Sequence, residues 1–139
     1  MSEIIQTPNA SAPLGAYPHA RRVGNLLFLS GIGPRNAKDN SIPGLELDAT
    51  GYVLKHDIEK ECHAVFANVK AVLEASGSSW NNIIDVTVFL THMKEDFPRY
   101  NKVYGEYFKN VQACRTTVEV TSLPTTISIE LKIIATIGD

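Results

Sequence analysis

Two stretches with apolar residues at spacings of three and four, set among runs that alternate apolar and polar, divide the chain into helices and strands. DIEKECHAVFANVKAVLEASG repeats Ile58, Cys62, Val65, Phe66, Val69, Val72 and Leu73, which predicts a helix with one buried face. Asp57 is placed to cap it, Glu59 and Glu61 suit the positive end of its dipole, and Gly77 marks its stop. FPRYNKVYGEYFKN predicts a second helix, with Pro98 in its first turn and Phe97, Tyr100, Tyr104, Tyr107 and Phe108 along its apolar side. Ahead of the first helix, Ile4 and Ile5 are followed by a Pro-rich loop, TPNASAPLGAYP. HARRVGNLLFLSG then reads as a hairpin about Gly24-Asn25, and the Gly-, Pro-, Asn- and Asp-rich span 33–51 as a long loop. NIIDVTVFLT is a β-branched strand, and CRTTVEVTSLPTTISIELKII reads as two strands joined by a Leu-Pro turn. The order βββαβαββ predicts one α+β domain over residues 1–139, a mostly antiparallel sheet with both helices packed on one face.

Strand alternation sharpens this picture. Ile84, Val86, Val88 and Leu90 form one apolar face, with Ile83, Asp85, Thr87 and Phe89 on the other. Leu27 and Leu29 share one side of their strand, Leu26 and Phe28 the opposite one. Two helices cover one face of such a sheet, and the second is too apolar to leave in water. Either it self-associates or the long loop folds over it.

Composition narrows the function classes. A chain of 139 residues with 44% hydrophobic content supports a packed core. A formal charge of -2 gives no footprint for nucleic acid or an anionic membrane. No apolar run approaches the ~20 residues that span a bilayer. MSEIIQTPNAS lacks the basic region and apolar core of a signal peptide, and Cys62 and Cys114 make no disulfide framework. A cytoplasmic setting is expected.

The closing strands raise the chemical question. Arg115, Thr117 and Glu119 share a face, and Ser128, Glu130 and Lys132 share another, opposite Ile127, Ile129, Leu131 and Ile133. Arg115 and Glu130 are therefore expected together on a mixed-polarity face. A guanidinium there suits bidentate recognition of a carboxylate, and a structural ion pair is the alternative. His19, His56, His63 and His92 follow no metal-ligand spacing. No phosphate loop, nucleophile elbow or CxxC occurs, and Ser30 reads as a turn serine.

GAYPHA, NLLFLSG, VTVFLTHMKEDFPRYNKVYGEYF and CRTTVEVTSLPTTISIELKIIA, in that order, resemble the RidA (YjgF) family of imine/enamine deaminases over nearly the whole chain. The block R-x-x-V-E-V-x-x-L-P, followed by I-E and I-A, carries most of the likeness. The resemblance implies a chorismate-mutase-like α+β fold and a homotrimer with sites in the clefts between subunits. It implies that Arg115 binds the substrate carboxylate and that Glu130 positions or activates the hydrolytic water. Tyr17 and Asn101 would line the pocket, and Thr117 stands where many members carry a reactive cysteine. The family's common G-P-Y-S-Q and S-G-Q are here Gly15-Ala16-Tyr17-Pro18-His19 and Ser30-Gly31-Ile32. PHARRVGNLLFLSG, with Arg35 shortly after, looks like the 2-aminomuconate deaminase branch of aromatic catabolism.

The chemistry so implied needs no cofactor and no metal. An enamine tautomerises to an imine, water adds to the imine carbon, and ammonia leaves an oxo acid. The protein fixes the carboxylate, relays a proton and holds a water, roles for Arg115, Glu130 and Tyr17. A second carboxylate, as in 2-aminomuconate, calls for a second cation, Arg22 or Arg35, with His19 also at the pocket. The alternatives are a general 2-aminoacrylate (2-iminopropanoate) deaminase and a small-molecule-binding or chaperone-like trimer without turnover. Retention of both Arg115 and Glu130 favours an enzyme.

Overall fold

Helix α1 (Ile58–Ala75) forms where the periodicity places it, and both of its ends are fixed by local chemistry. The Asp57 carboxylate accepts the Lys60 N–H at 3.1 Å, satisfying one of the free donors of the first turn. At the other end Gly77 takes a left-handed φ of 78°, while Gly77 N–H and Ser78 N–H return to the carbonyls of Glu74 and Leu73. The apolar stripe of α1 is almost wholly buried against the sheet.

The computed structural model describes residues 2–138. Strands β1 (Ser2–Ile5), β2 (Ala20–Val23) and β3 (Leu26–Leu29) precede a small pair, β4 (Glu46–Leu47) and β5 (Val53–Lys55). After α1 come a 3-10 turn at Trp80–Asn82, β6 (Ile83–Leu90), α2 (Met93–Phe108), β7 (Cys114–Glu119) and β8 (Ile129–Thr136). The main sheet runs β1-β2-β3-β8-β6-β7, with β4-β5 apart from it. Every neighbouring pair is antiparallel except β6 and β7, which are joined through α2 as a parallel crossover. Both helices contribute to the core on one face, over Leu27, Leu29, Val86, Val88, Leu131 and Ile133. This is the expected α+β architecture.

Four local expectations are corrected. First, β7 and β8, read as two strands joined by a turn, are not neighbours in the sheet: β6 is inserted between them. The connection arches past the end of β6, where Val120 N–H meets Leu90 O and Thr91 N–H meets Ser128 O. The apolar β6 thereby gains a partner on each edge. Second, a register irregularity between Ile83 and Asp85 exchanges two side chains. Ile83 is 2% exposed and Ile84 43%, while alternation from Val86 onward is as expected. Third, α2 starts at Met93, so Pro98 lies inside it rather than in its first turn. The Glu119 carboxylate, arriving from β7, accepts the Met93 N–H at 2.9 Å and supplies the early start. Fourth, the span 33–51 contains β4 and does not cover the second face. It docks on α1, where Asn68 donates to the carbonyls of Gly33 and Arg35. The second face stays open, with Ile4, Val23, Phe28 and Val118 exposed on it.

Candidate active site

Arg115 pairs with Val86 in the parallel β6–β7 register, so its side chain leaves the sheet on the helix-covered face. There it meets one stripe of α2, at positions 97, 100, 101 and 104. The guanidinium carbon lies 4.7 Å from the Tyr104 ring centre, 5.5 Å from Tyr100 and 6.0 Å from Phe97. Arg115 Nη1 donates to Asn101 Oδ1 at 2.8 Å, which fixes the rotation of the fork. The group is exposed at the sheet edge, able to face a carboxylate. Two residues on, Thr117 Oγ1 bonds Tyr100 Oη at 3.0 Å. Burial raises the proton affinity of both Tyr100 and Tyr104, so these phenols stay neutral under the cation.

Glu130 pairs with Phe89, which puts it on the opposite face. Sequence alternation gives the phase within a strand but not between strands, and the expectation that Arg115 and Glu130 share a face is wrong within one chain. The Glu130 carboxylate lies against Gly31: a Cβ built there would fall 2.5 Å from Glu130 Oε2. Gly31 is brought alongside β8 by the reciprocal Ile32–Leu131 backbone bonds, both 2.9 Å. Desolvation raises the Glu130 pKa above the usual carboxylate value. Gly31 also walls a recess of about 30 Å³ with Tyr17, Ser30 and Arg35, room for roughly one or two waters.

The strap that carries Tyr17 is held by its own polar groups. Ser30 Oγ donates to Pro18 O at 2.7 Å and Ser30 N–H to His19 O at 3.0 Å, a turn-holding role as expected. Tyr17 Oη accepts the Leu14 N–H at 3.1 Å. His19 is buried; Nδ1 accepts from Thr7 N–H and Nε2 donates to Ser11 O, so both ring nitrogens are spent on the loop. Arg35 lines the recess but holds Asn40 Oδ1 and Ala12 O, each at 2.8 Å. Arg22 lies at the far end of β2, with Nε on Gly24 O at 2.9 Å, away from the recess.

The structure therefore gathers the expected residues into two groups on opposite faces: Arg115, Asn101 and Thr117 on one, Tyr17 and Glu130 on the other, with Arg35 near Tyr17. Sequence reasoning missed the ring shelf under Arg115 and the glycine against Glu130. The first had a signal, the 97/100/101/104 spacing. The second had none, because Gly31 and Glu130 meet only through the β8 pairing.

Similar proteins bear on this arrangement. A family described as Endoribonuclease L-PSP matches residues 7–137. A RutC family protein of Pyrococcus horikoshii is 42% identical, over 97% of this chain and 98% of its own. A protein of Dermatophagoides farinae named 2-iminobutanoate/2-iminopropanoate deaminase is 36% identical, over 96% and 95%. Among solved structures, the YjgF gene product from E. coli superposes with a TM-score of 0.81 at 31% identity, over 96% of this chain and 98% of that one.

Proposed function

The chain belongs to the Endoribonuclease L-PSP family, which includes the RidA and RutC proteins, and from that premise we propose that it is a cofactor-independent deaminase of small 2-imino acids. The observation that carries the reading is Arg115, a guanidinium seated on three rings, turned by Asn101 and exposed at the sheet edge. Such a group grips a planar carboxylate. The activity printed for the mite relative supplies the substrate class, 2-iminobutanoate and 2-iminopropanoate. Water adds to the imine carbon, the adduct takes up a proton at nitrogen, and its C–N bond breaks as the hydroxyl gives up its proton, releasing ammonia and leaving the 2-oxo acid. Glu130, with its raised proton affinity, holds the water and shuttles the proton, and Tyr17 closes the pocket over the imine. Cleavage of RNA, which the family description names, is less well supported, since a chain of net charge -2 offers a polyanion no overall attraction.

The split of the residues between two faces supports a shared site. Arg115, Asn101 and Thr117 of one copy would meet Tyr17 and Glu130 of the next. The exposed apolar face supplies the contact, in the homotrimer that the family resemblance implies. A second reading, 2-aminomuconate as substrate, draws on Arg35 beside Tyr17 as the second cation; Arg22 is too far along β2 for that role.

The test is ammonia release from 2-iminobutanoate and 2-iminopropanoate generated in situ, against 2-aminomuconate. We expect turnover of the monocarboxylates above the spontaneous rate. A specificity constant higher for 2-aminomuconate, and lowered selectively by Arg35→Ala, would favour the dicarboxylate reading. No acceleration of any of the three leaves only a binding role.

A further inference from the structure

A connected polar cluster lies apart from both half-sites, where the start of α1 approaches the start of α2. His56, between β5 and α1, bonds through Nε2 to Asp96 Oδ2 of α2 at 2.8 Å. Its ring stacks on His92, the residue capping α2, with centres 4.7 Å apart and planes at 25°. One ligand atom from each of His56, His92 and Asp96 falls within 4.8 Å of the others. The His56 and Asp96 side chains are 9% and 6% exposed, while His92 opens to solvent and gives a way in.

A buried carboxylate beside them lacks a counter-charge. Glu61, on the first turn of α1, is fully buried. Its Oε1 accepts Ser128 N–H at 2.8 Å, and Oε2 has no partner among the described residues. It lies near enough to His56 and Asp96 to interact electrostatically with both. Ser128 also ties the two sides together: its carbonyl accepts Thr91 N–H, and Thr91 Oγ1 lies 2.9 Å from His92 Nδ1.

We propose that His56, His92 and Asp96 bind a divalent transition-metal ion of the zinc class, with the Glu61 carboxylate beside them as the compensating buried charge. Two imidazoles and one carboxylate suit zinc, cobalt or nickel rather than magnesium or calcium, which take oxygen ligands. Two neutral rings, two carboxylates and a dication sum to zero charge, the condition for burial. With its Nδ1 held by Thr91, His92 offers Nε2 to the ion. If His56 coordinates through Nε2, its ring proton moves to Nδ1 with no net proton released. A simple His56–Asp96 ion pair accounts for neither the stacked His92 ring nor the unpartnered Glu61 oxygen. No spacing rule exposes the site, because its ligands come from positions 56, 92 and 96 and meet only when α1 and α2 pack.

The experiment uses untagged protein stripped with a chelator, then titrated calorimetrically with Zn²⁺, and with Co²⁺ followed by visible absorption. We expect about one ion per chain, a rise in Tm with Zn²⁺, and a cobalt d–d band. His56→Ala, His92→Ala and Asp96→Asn should each weaken binding about tenfold or more. His63→Ala should change nothing, since that ring pairs with Tyr107 elsewhere. Mg²⁺ should not compete. Should the His56 variant fail to fold, His92→Ala carries the test, its ring being exposed. Zn²⁺ binding no weaker in His92→Ala than in wild type, or lost instead in His63→Ala, overturns the proposal. The readout is metal, not turnover, so it stands or falls separately from the deaminase reading.

Discussion

Arg115 owes its orientation to α2: three rings limit where the guanidinium lies and Asn101 limits how it turns. Removing it takes away a charge-assisted contact to substrate. Arg115→Ala should lower kcat/KM about a hundredfold or more, the loss of roughly 3 kcal/mol. The group is exposed, so Tm should hardly move. Arg115→Lys should recover little, because an ammonium does not reproduce the fork. Near-normal turnover in Arg115→Ala, read in steady-state assays, would show that the residue does not touch substrate. Glu130 makes a pH prediction. Burial lifts its pKa above 4.5, so with the ionised carboxylate as the working form, the acid limb of kcat/KM should lie above that value. Glu130→Gln should remove most of the activity, and any residual rate should lack this limb.

At the scale of elements, the helix starts carry the sharpest stability predictions. Glu119→Ala strips Met93 N–H of its acceptor and should cost about 1 kcal/mol, measured by urea denaturation. Glu61 behaves in the opposite sense to a salt-bridged carboxylate. Burial pushes its pKa up to about 7, so the folded state binds its proton more tightly than the unfolded chain, where 4.5 applies. The stability this group confers is therefore full below pH 4.5 and is lost as pH rises to about 7. Glu61→Gln, in the presence of a chelator, should be more stable than wild type above pH 7 by a few kcal/mol, with a flatter pH profile between. An equal pH slope in both proteins would exclude Glu61 as its source. These helices also show what a sequence discloses. Both ends of α1 were legible because Asp57 and Gly77 lie next to them in the chain. The start of α2 was not, because its acceptor, Glu119, arrives from a distant strand. Likewise the apolar character of β6 was legible, but not the irregularity that buries Ile83 and exposes Ile84.

For the whole molecule, the open sheet face was anticipated from the alternation of Phe28 and Phe89 against the inner leucines and valines. The partition of Arg115 and Glu130 was not, since β7 lies parallel to β6 and beyond it, an arrangement no local pattern encodes. If the two groups meet only between copies, light scattering should give a mass three times that of the chain, and a monomer at micromolar concentration would sink the shared site. Arg115→Ala and Glu130→Gln, each nearly inactive alone, should recover roughly one quarter of wild-type activity when mixed one to one and allowed to exchange subunits, the chance that neighbours supply both intact halves. No recovery after demonstrated exchange would place both residues in one protomer's site. The position of β8 has a consequence for how the protein is made. The last strand joins the β1-β2-β3 meander to β6-β7, pairing Leu26 with Thr136 across most of the chain. Until the ribosome releases that strand, the meander has no neighbour and the apolar edge of β6 has no partner. Folding should therefore wait until β8 is available, proceed slowly, and leave products truncated ahead of β8 prone to aggregate.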